Sequence, residues 1–197
     1  MNAVKIKSHK NNLIEGPLLL KPNIYFDDRG FFYESWNEKC MANLVSENIN
    51  FVQDNHSRSK LGVIRGMHYQ IPPKEQAKLV RCTYGEVYDV IVDLRLHSNT
   101  FGEWFGVYLN VKNRLQLWIP KGFAHGFLSL KENTEVQYKT NEFWDRNCER
   151  SLKWNDEEIC IKWPTKKGDK LFKIQTNEKD SKALNFNQIK EKGAFFN

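Results

Sequence analysis

Between residues 50 and 163, short runs of β-branched and aromatic residues are separated by Gly, Pro, Asn and charged turns. This spacing is typical of antiparallel sheet. The clearest predicted strands cover residues 77–83, 86–94, 104–111, 115–119, 126–130 and 134–143. Because no helical pattern intervenes, the sequence predicts an all-β sandwich or barrel.

Only short peripheral helices are expected around this barrel. Met41, Leu44 and Val45 lie at helical spacing and predict one helix over residues 38–47. The stretch after Pro164 is rich in Lys and Asn, and it predicts irregular turns plus a terminal helix. We expect a single domain over residues 1–197, with the barrel core at about 50–164 and the tail, 165–197, packing on it.

Alternation assigns side chains to the two faces of each strand. Val136, Tyr138 and Thr140 share one face of their strand. Lys78, Val80 and Cys82 likewise share one face. A lysine and a tyrosine are therefore expected to project into one barrel interior, where a polar group needs a partner or a purpose.

The charge and the cysteines limit the classes of function. The net charge is +6, but Lys and Arg are spread along the chain, which argues against nucleic acid and suits a ligand that carries a diphosphate. The four cysteines form no CxxC pair, and no secretory signal precedes them. No apolar run approaches the length of a membrane span. We expect a cytoplasmic protein with no membrane partner.

Two motifs carry candidate chemistry, one around RGMHYQ at residues 65–70 and one at 120–127, PKGFAHGF. Together they resemble the cupin barrel, whose metal-binding members place an HxH pair and a Glu in the first motif and another His in the second. Here the first motif offers only His68, with Gln70 in the second His position, while His125 keeps a ligand-like place. Because catalytic metal sites usually take three protein ligands, we expect neither a metal nor another cofactor.

Further motifs accompany these two along the chain: DRGFF at 28–32 with Glu34, QDNHS at 53–57, RGMHYQ at 65–70, PKGFAHGF at 120–127, YKT at 138–140, WND at 154–156 and IKWP at 161–164. In these motifs and their order, from residue 21 to 164 and onwards towards 184, the chain resembles the dTDP-4-dehydrorhamnose 3,5-epimerase family. The resemblance implies a cupin-like antiparallel β-barrel, or jelly roll, and a substrate linked to dTDP.

The chemistry of this family needs a placed base, a donor on the opposite face and stabilisation of an enolate oxygen. The resemblance implies His68 as the base, Tyr138 as the opposing acid and Lys78 near the oxygen that gathers charge. In the family, an aspartate that follows a lysine orients the base, and here the matching pair is Lys179 and Asp180. Asp145 and Asp156 are weaker substitutes.

The nucleotide end needs cations and polar contacts. Arg29 and Arg65 are candidates for the diphosphate, because a guanidinium holds phosphate oxygens bidentately. The resemblance adds further substrate-binding positions: Glu34, Gln53, Asn55, Glu149 and Lys179. His125 is either a substrate contact or a structural support. In the family, N-terminal residues of one subunit reach the neighbour's pocket, which implies a homodimer.

Several alternatives stay open at this level. Tyr138 is otherwise a core tyrosine with its hydroxyl satisfied, and Lys78 otherwise extends along a barrel rim. The enzyme either inverts both C3 and C5 of dTDP-4-keto-6-deoxy-D-glucose, or acts at one carbon, or takes a sugar linked to another nucleotide. A non-catalytic sugar-binding cupin is a further alternative. Phe26, Phe143 and Trp144 depart from the family pattern and leave the nucleotide's identity open.

Overall fold

The computed structural model describes residues 1–45, 48–167 and 170–197. Its strands are β1 (Asn2–Lys7), β2 (Leu13–Lys21), β3 (Tyr25–Asp27), β4 (Gly30–Phe32), β5 (Gln53–Ser59), β6 (Ile64–Gln70), β7 (Lys78–Tyr84), β8 (Glu86–Asp93), β9 (Trp104–Asn110), β10 (Gln116–Ile119), β11 (Phe123–Ser129), β12 (Thr134–Thr140), β13 (Glu149–Ser151), β14 (Lys166–Lys167) and β15 (Lys170–Leu171). The helices are α1 (Glu38–Val45), α2 (Glu178–Ser181) and α3 (Phe186–Glu191). The all-β prediction is therefore confirmed.

Two antiparallel sheets face each other across the core. One sheet has the order β1-β2-β10-β7-β12-β5, and the other has the order β13-β6-β11-β8-β9. Buried apolar residues of both sheets fill the space between them: Ile6, Ile14, Val80, Cys82, Val87, Ile91, Leu109, Leu117, Ile119, Phe123, Phe127 and Val136. Alternation along each strand supplies these residues, as the sequence predicts.

Peripheral segments cover the outer faces of the two sheets. The C-terminal region packs Phe186, Ile189 and Phe195 on the five-stranded sheet around Met67 and Tyr69. The other sheet packs against Met41 of α1, which starts at the predicted residue. The last two residues predicted for that helix, 46 and 47, lie outside the described residues. Among the described residues, no helix is long and apolar enough to cross a membrane.

The six strands predicted by range match β7 to β12 and differ mainly at the ends of β11 and β12, whereas β1 to β6 were not predicted by range. β1 and β2 join the six-stranded sheet although they precede residue 50, the predicted start of the core. Gly16 and Pro17 are residues that predict a turn in the sequence of β2. In the structure they lie in a register shift between β1 and β2, which lets the strand continue. β11 starts at Phe123, three residues early, and β12 ends at Thr140 because the Thr140 hydroxyl donates to Glu142 O and begins a turn.

Candidate active site

His68 lies on β6, and a buried carboxylate holds its imidazole. The distance from His68 Nε2 to Asp180 Oδ1 is 2.6 Å, and the Gly66 N–H donates to Asp180 Oδ2 at 3.2 Å. Asp180 belongs to α2, whose N-cap, Asn177, accepts a hydrogen bond from the Asp180 N–H. The structure thus gives His68 the carboxylate that the resemblance implies.

The two substitute carboxylates have other partners. Asp145 accepts from the backbone N–H groups of Asn147 and Cys148. Asp156 accepts from the backbone of Ile159 and Phe186. Asp180 alone of these three aspartates bonds to His68.

Asp180 is ionised at neutral pH despite its burial. Burial raises the pKa of this carboxyl, but the hydrogen bond from His68 and the smaller effects of Gly66 and Lys179 outweigh it and leave the pKa below its usual value. A carboxylate that accepts from an imidazole N–H stabilises the imidazolium that forms when the ring takes a proton. The pair is therefore suited to act as an oriented base.

Lys78 is a buried lysine beside this base. Only 6% of its surface is exposed, and its Nζ donates to the backbone oxygen of His68 at 3.1 Å. Burial lowers the pKa of Lys78 to about 8, and the negative charges of Asp89 and Glu149 limit the fall. The amine is therefore still mostly cationic at pH 7, which suits it to an oxygen that gathers negative charge.

Tyr138 lines the same cavity from the six-stranded sheet, opposite the sheet that carries His68. It pairs with Val80 across β12 and β7, which points it inward next to the core. Burial and the nearby Glu149 raise the pKa of its phenol, so it carries its proton at neutral pH. Within the described residues its hydroxyl has no hydrogen-bond partner, whereas the core Tyr69 donates to Ala194 O at 3.0 Å. This contrast favours a reactive phenol over a structural one.

His125 faces His68 across β11 and β6 and has its own buried carboxylate. Its Nε2 lies 2.9 and 3.0 Å from the two oxygens of Asp89. The sequence reasoning missed Asp89, which alternation places inward with Val87 and Ile91. Two imidazole–carboxylate pairs therefore stand side by side.

Among the described residues, no group of three or more His, Cys, Asp or Glu is arranged to hold a metal ion.

One cavity of about 180 Å³ brings together seven of the predicted site residues: Arg65, His68, Lys78, His125, Tyr138, Glu149 and Asp180. Arg65 is fixed by hydrogen bonds to Ser59 Oγ and Arg58 O. Lys179 does not line the cavity but pairs with Glu149 at 2.6 Å.

The remaining predicted residues do not line this cavity. Arg29 is exposed and pairs with Asp27, and Glu34 accepts from Asn37. Gln53 and Asn55 bond to each other at 2.8 Å. Asn55 stands opposite Tyr138 across β5 and β12, whereas Arg29 and Glu34 are not brought to the acid–base residues within a single chain.

The cavity also contains residues that the sequence reasoning did not assign to the site: Ser57, Tyr69, Gln70, Gln76, Phe127 and Asn177. A signal was present for two of them. Gln70 and Phe127 lie two positions from His68 and His125, and strand alternation places such residues on the same face. Gln76 precedes the start of β7, where alternation gives no information. Trp144 also lines the cavity, and the sequence had marked it as a departure from the family pattern.

A buried acid–base pocket between the two sheets of a cupin-like barrel defines the class of the protein, and the comparisons with known proteins agree. The family model described as dTDP-4-dehydrorhamnose 3,5-epimerase matches residues 11–188. The enzyme of that name from Escherichia coli is 51% identical over 155 residues, which cover 79% of this chain and 84% of the relative. The chain belongs to the dTDP-4-dehydrorhamnose 3,5-epimerase family, whose members are isomerases.

Solved structures show the same fold. A dTDP-6-deoxy-D-glucose-3,5-epimerase from Legionella pneumophila, in complex with dTDP-4-keto-L-rhamnose, has a TM-score of 0.88 and 40% identity over 99% of this chain and 98% of that chain. A 3'-monoepimerase from Streptomyces bikiniensis, in complex with dTDP-quinovose, has a TM-score of 0.84 and 28% identity over 92% of this chain and 89% of that chain. The fold therefore serves both double and single epimerisation.

Proposed function

We propose that the chain inverts C3 and C5 of dTDP-4-keto-6-deoxy-D-glucose to give dTDP-4-keto-L-rhamnose, without a metal or other cofactor. The observation that carries this proposal is one cavity lined by His68, Lys78 and Tyr138, with Asp180 bonded to His68. A binding module has no need of a base, an acid and a buried cation aimed at one ligand.

The proposed steps follow from the protonation states. The Nε2–H of His68 donates a hydrogen bond to Asp180, so the lone pair of the imidazole lies on Nδ1. Nδ1 takes the proton from the carbon next to the ketone. The Lys78 ammonium stabilises the resulting enolate oxygen. Tyr138 then donates its proton to the opposite face of the same carbon. The imidazolium and the phenolate return to their starting states by exchange with water, so each inversion incorporates a solvent proton.

We also propose that two chains complete each pocket. The cavity, about 180 Å³, is smaller than the roughly 300–1,000 Å³ that ligand pockets usually offer, so it suits the sugar rather than the whole sugar nucleotide. Arg29 lies in the hairpin of β3 and β4, which exposes Tyr25, Phe26, Phe31 and Phe32 on a single chain. If this hairpin packs on a second copy of the chain, the aromatic residues of the hairpin become covered. Arg29 then supplies a cation for the diphosphate in the second copy's pocket.

The second candidate function is epimerisation at one carbon only. The similarity to the Streptomyces bikiniensis 3'-monoepimerase favours it, because the same fold performs that reaction. A sugar linked to another nucleotide is a variant of the main proposal, since Trp144 lines the cavity where the family pattern has tyrosine. A cytoplasmic location and a single-domain chain stay predictions.

The test is solvent exchange. The protein is incubated in D2O with the dTDP-4-keto sugar, and deuterium at C3 and C5 is followed by NMR, with and without EDTA. Exchange at both carbons that resists EDTA supports the proposal. Exchange at one carbon supports the monoepimerase. Exchange that EDTA abolishes contradicts the metal-free mechanism. If no nucleotide sugar shows exchange, the proposed activity is wrong and a non-catalytic sugar-binding cupin is favoured.

Two variants assign the roles within this assay. His68→Ala is expected to abolish exchange, because it removes the imidazole that Asp180 orients. Tyr138→Phe is expected to keep part of the proton removal while impairing delivery from the opposite face. Near-normal turnover by His68→Ala would show that the base is another residue.

A further inference from the structure

The two short helices of the C-terminal region, α2 and α3, begin in the same way. An asparagine caps each of them with an extended backbone: Asn177 has φ −84° and ψ 172°, and Asn185 has φ −75° and ψ 168°. Each side chain accepts a hydrogen bond from the third helical residue, from the Asp180 N–H at 2.7 Å in α2 and from the Gln188 N–H at 2.9 Å in α3. The two caps are therefore matched in residue type and in geometry.

The side chain of the third helical residue has a different partner in each helix. In α3 the Gln188 side chain turns back and accepts from the N–H of its own cap residue at 3.0 Å, which closes a capping box. Asp180 holds the same position in α2, but its carboxylate accepts from the ring of His68 at 2.6 Å. The start of α2 therefore depends on the Asn177 side chain, and the Asp180 carboxylate is left for the catalytic base.

α2 is too short to be stable without such support. Its four residues, Glu178–Ser181, form about one turn, and a helix of this length has little stability of its own. The Asn177 side chain bonds to the backbone of the residue that carries the carboxylate, so loss of the cap acts directly on Asp180. Because Asp180 is 1% exposed and close to His68, a small displacement of the turn would lengthen the bond between them.

We propose that Asn177 is a positioning residue, whose cap on α2 holds Asp180 where the carboxylate orients His68. The inference deepens the proposed function, on which it rests. Direct contact with the substrate is the competing role, because Asn177 also lines the cavity. The cap acts on the rate of proton transfer, whereas a substrate contact through the amide acts on the affinity for the sugar nucleotide.

Two substitutions of Asn177 separate these roles. Asn177→Ser keeps a preferred cap oxygen and loses the amide, whereas Asn177→Gln keeps the amide on a longer side chain that is not a preferred cap. We expect Asn177→Ser to keep kcat near the wild-type value, and Asn177→Gln and Asn177→Ala to lower kcat about 10-fold, with a smaller change in KM for the dTDP-4-keto sugar. A raised KM in Asn177→Ser, with kcat retained in Asn177→Gln, would overturn the proposal in favour of a substrate contact.

The cap of α3 provides the matched control. Asn185→Ala removes the same kind of cap from a helix whose Phe186 and Ile189 pack on the five-stranded sheet. It is expected to lower the melting temperature about as much as Asn177→Ala does and to keep the wild-type kcat. An equal fall in kcat in both variants would show that general loosening of the C-terminal region slows the reaction, and the proposal would be wrong. Asn177→Gln serves as the test variant if Asn177→Ala does not fold.

The tautomer of His68 reports on the cap without any substrate. The Asp180 carboxylate accepts from Nε2, which fixes the proton of the neutral ring on that nitrogen. NMR spectra that correlate the ring protons with the imidazole nitrogens measure this preference at a pH where the ring is neutral. We expect the Nε2–H tautomer in the wild type, in Asn177→Ser and in Asn185→Ala, and a mixture of both tautomers in Asn177→Ala.

These spectra also separate the inference from the proposed function. If the wild type turns over no nucleotide sugar, the proposed function is wrong, but a tautomer that changes in Asn177→Ala and not in Asn177→Ser still supports the positioning role. If the enzyme is active and the tautomer of His68 is the same in Asn177→Ala as in the wild type, the proposed function stands and the positioning role is wrong.

Discussion

At the scale of single residues, burial acts in opposite directions on the two charged groups that adjoin His68. It lowers the pKa of Lys78 to about 8, because a buried ammonium loses its hydration. It also opposes ionisation of Asp180, but the hydrogen bond from His68 keeps that pKa below its usual value. The Lys78 ammonium therefore loses its proton more readily than a free lysine, whereas Asp180 stays ionised, and substitutions can probe the two groups separately.

The alkaline limb of the pH–rate profile reports on Lys78. The ammonium form stabilises the enolate and prevails below pH 8, so kcat is expected to fall as the pH rises through about 8. Lys78→Arg keeps its charge throughout this range and is expected to lose the limb near pH 8, although its bulk lowers kcat. The profile is measured with saturating substrate, and a limb near pH 8 that persists in Lys78→Arg would assign it to another group.

Asp180→Asn tests the orientation of the base. The asparagine amide would donate to His68 Nε2, which moves the imidazole proton to Nδ1 and removes the lone pair that takes the substrate's proton. We expect kcat to fall about 10²–10⁴-fold. The melting temperature shows whether the fold persists, and a kcat within a few-fold of the wild type would exclude Asp180 from this role.

At the scale of elements, the sequence predicted strands where side chains alternate and failed where tertiary contacts decide. β7, β8, β9 and β10 lie within one residue of their predicted bounds, because turn residues bound each of these apolar runs. β1 and β2 were missed because Gly16 and Pro17 lie in a register shift that no local pattern reveals. Such irregularities become visible only when the partner strand is known.

The site divides in the same way. Lys78 and Tyr138 were predicted because their strands alternate and because the resemblance names them, and His68 was predicted from the resemblance. The pairing of Asp89 with His125 and the bonds of Gln70 to the segment 143–145 depend on the packing of distant elements. The spacing of residues in the sequence does not predict contacts between elements that are far apart in the chain.

The close approach of β6 and β11 beside His68 gives a prediction at this scale. Gly66 has φ +132°, and a Cβ there would lie 2.5 Å from Gly126 Cα and 2.9 Å from His125 O. Gly30 has nearly the same φ, +133°, but a Cβ there would meet nothing within 4 Å. The two positions therefore share a φ that L side chains rarely adopt, and they differ in the contacts that a Cβ would make.

Gly30→Ala is expected to lower the free energy of unfolding by about 1–3 kcal/mol through strain alone. Gly66→Ala is expected to lower it by a further ~1–3 kcal/mol, because the neighbouring backbone must move. Denaturant titration of both variants measures the difference. Equal losses would mean that β6 and β11 have room to separate, so that this contact does not hold His68 in place.

At the scale of the whole molecule, the division of the predicted site residues is itself informative. The acid–base residues line one cavity, whereas Arg29 and Glu34 lie in and beside an exposed aromatic hairpin. A single chain thus leaves apolar surface open, and it keeps Arg29, one of the two diphosphate candidates, apart from the pocket that Arg65 lines. A two-fold dimer that exchanges these hairpins would cover the exposed aromatic residues and bring Arg29 to the partner's pocket. Both copies would make the same contact, because a two-fold interface uses the same surface of each chain.

Mixed dimers test this arrangement directly. His68→Ala and Arg29→Ala chains are each expected to be nearly inactive in dTDP-4-keto sugar turnover, the first in chemistry and the second in binding. If Arg29 serves the partner's pocket, a hybrid dimer has one site with both residues intact and one with neither. Equal mixing after dissociation is then expected to restore about a quarter of wild-type activity, since half of the dimers are hybrids and half of their sites are complete. If Arg29 serves the pocket of its own chain, every site in the mixture lacks one residue, and mixing restores nothing.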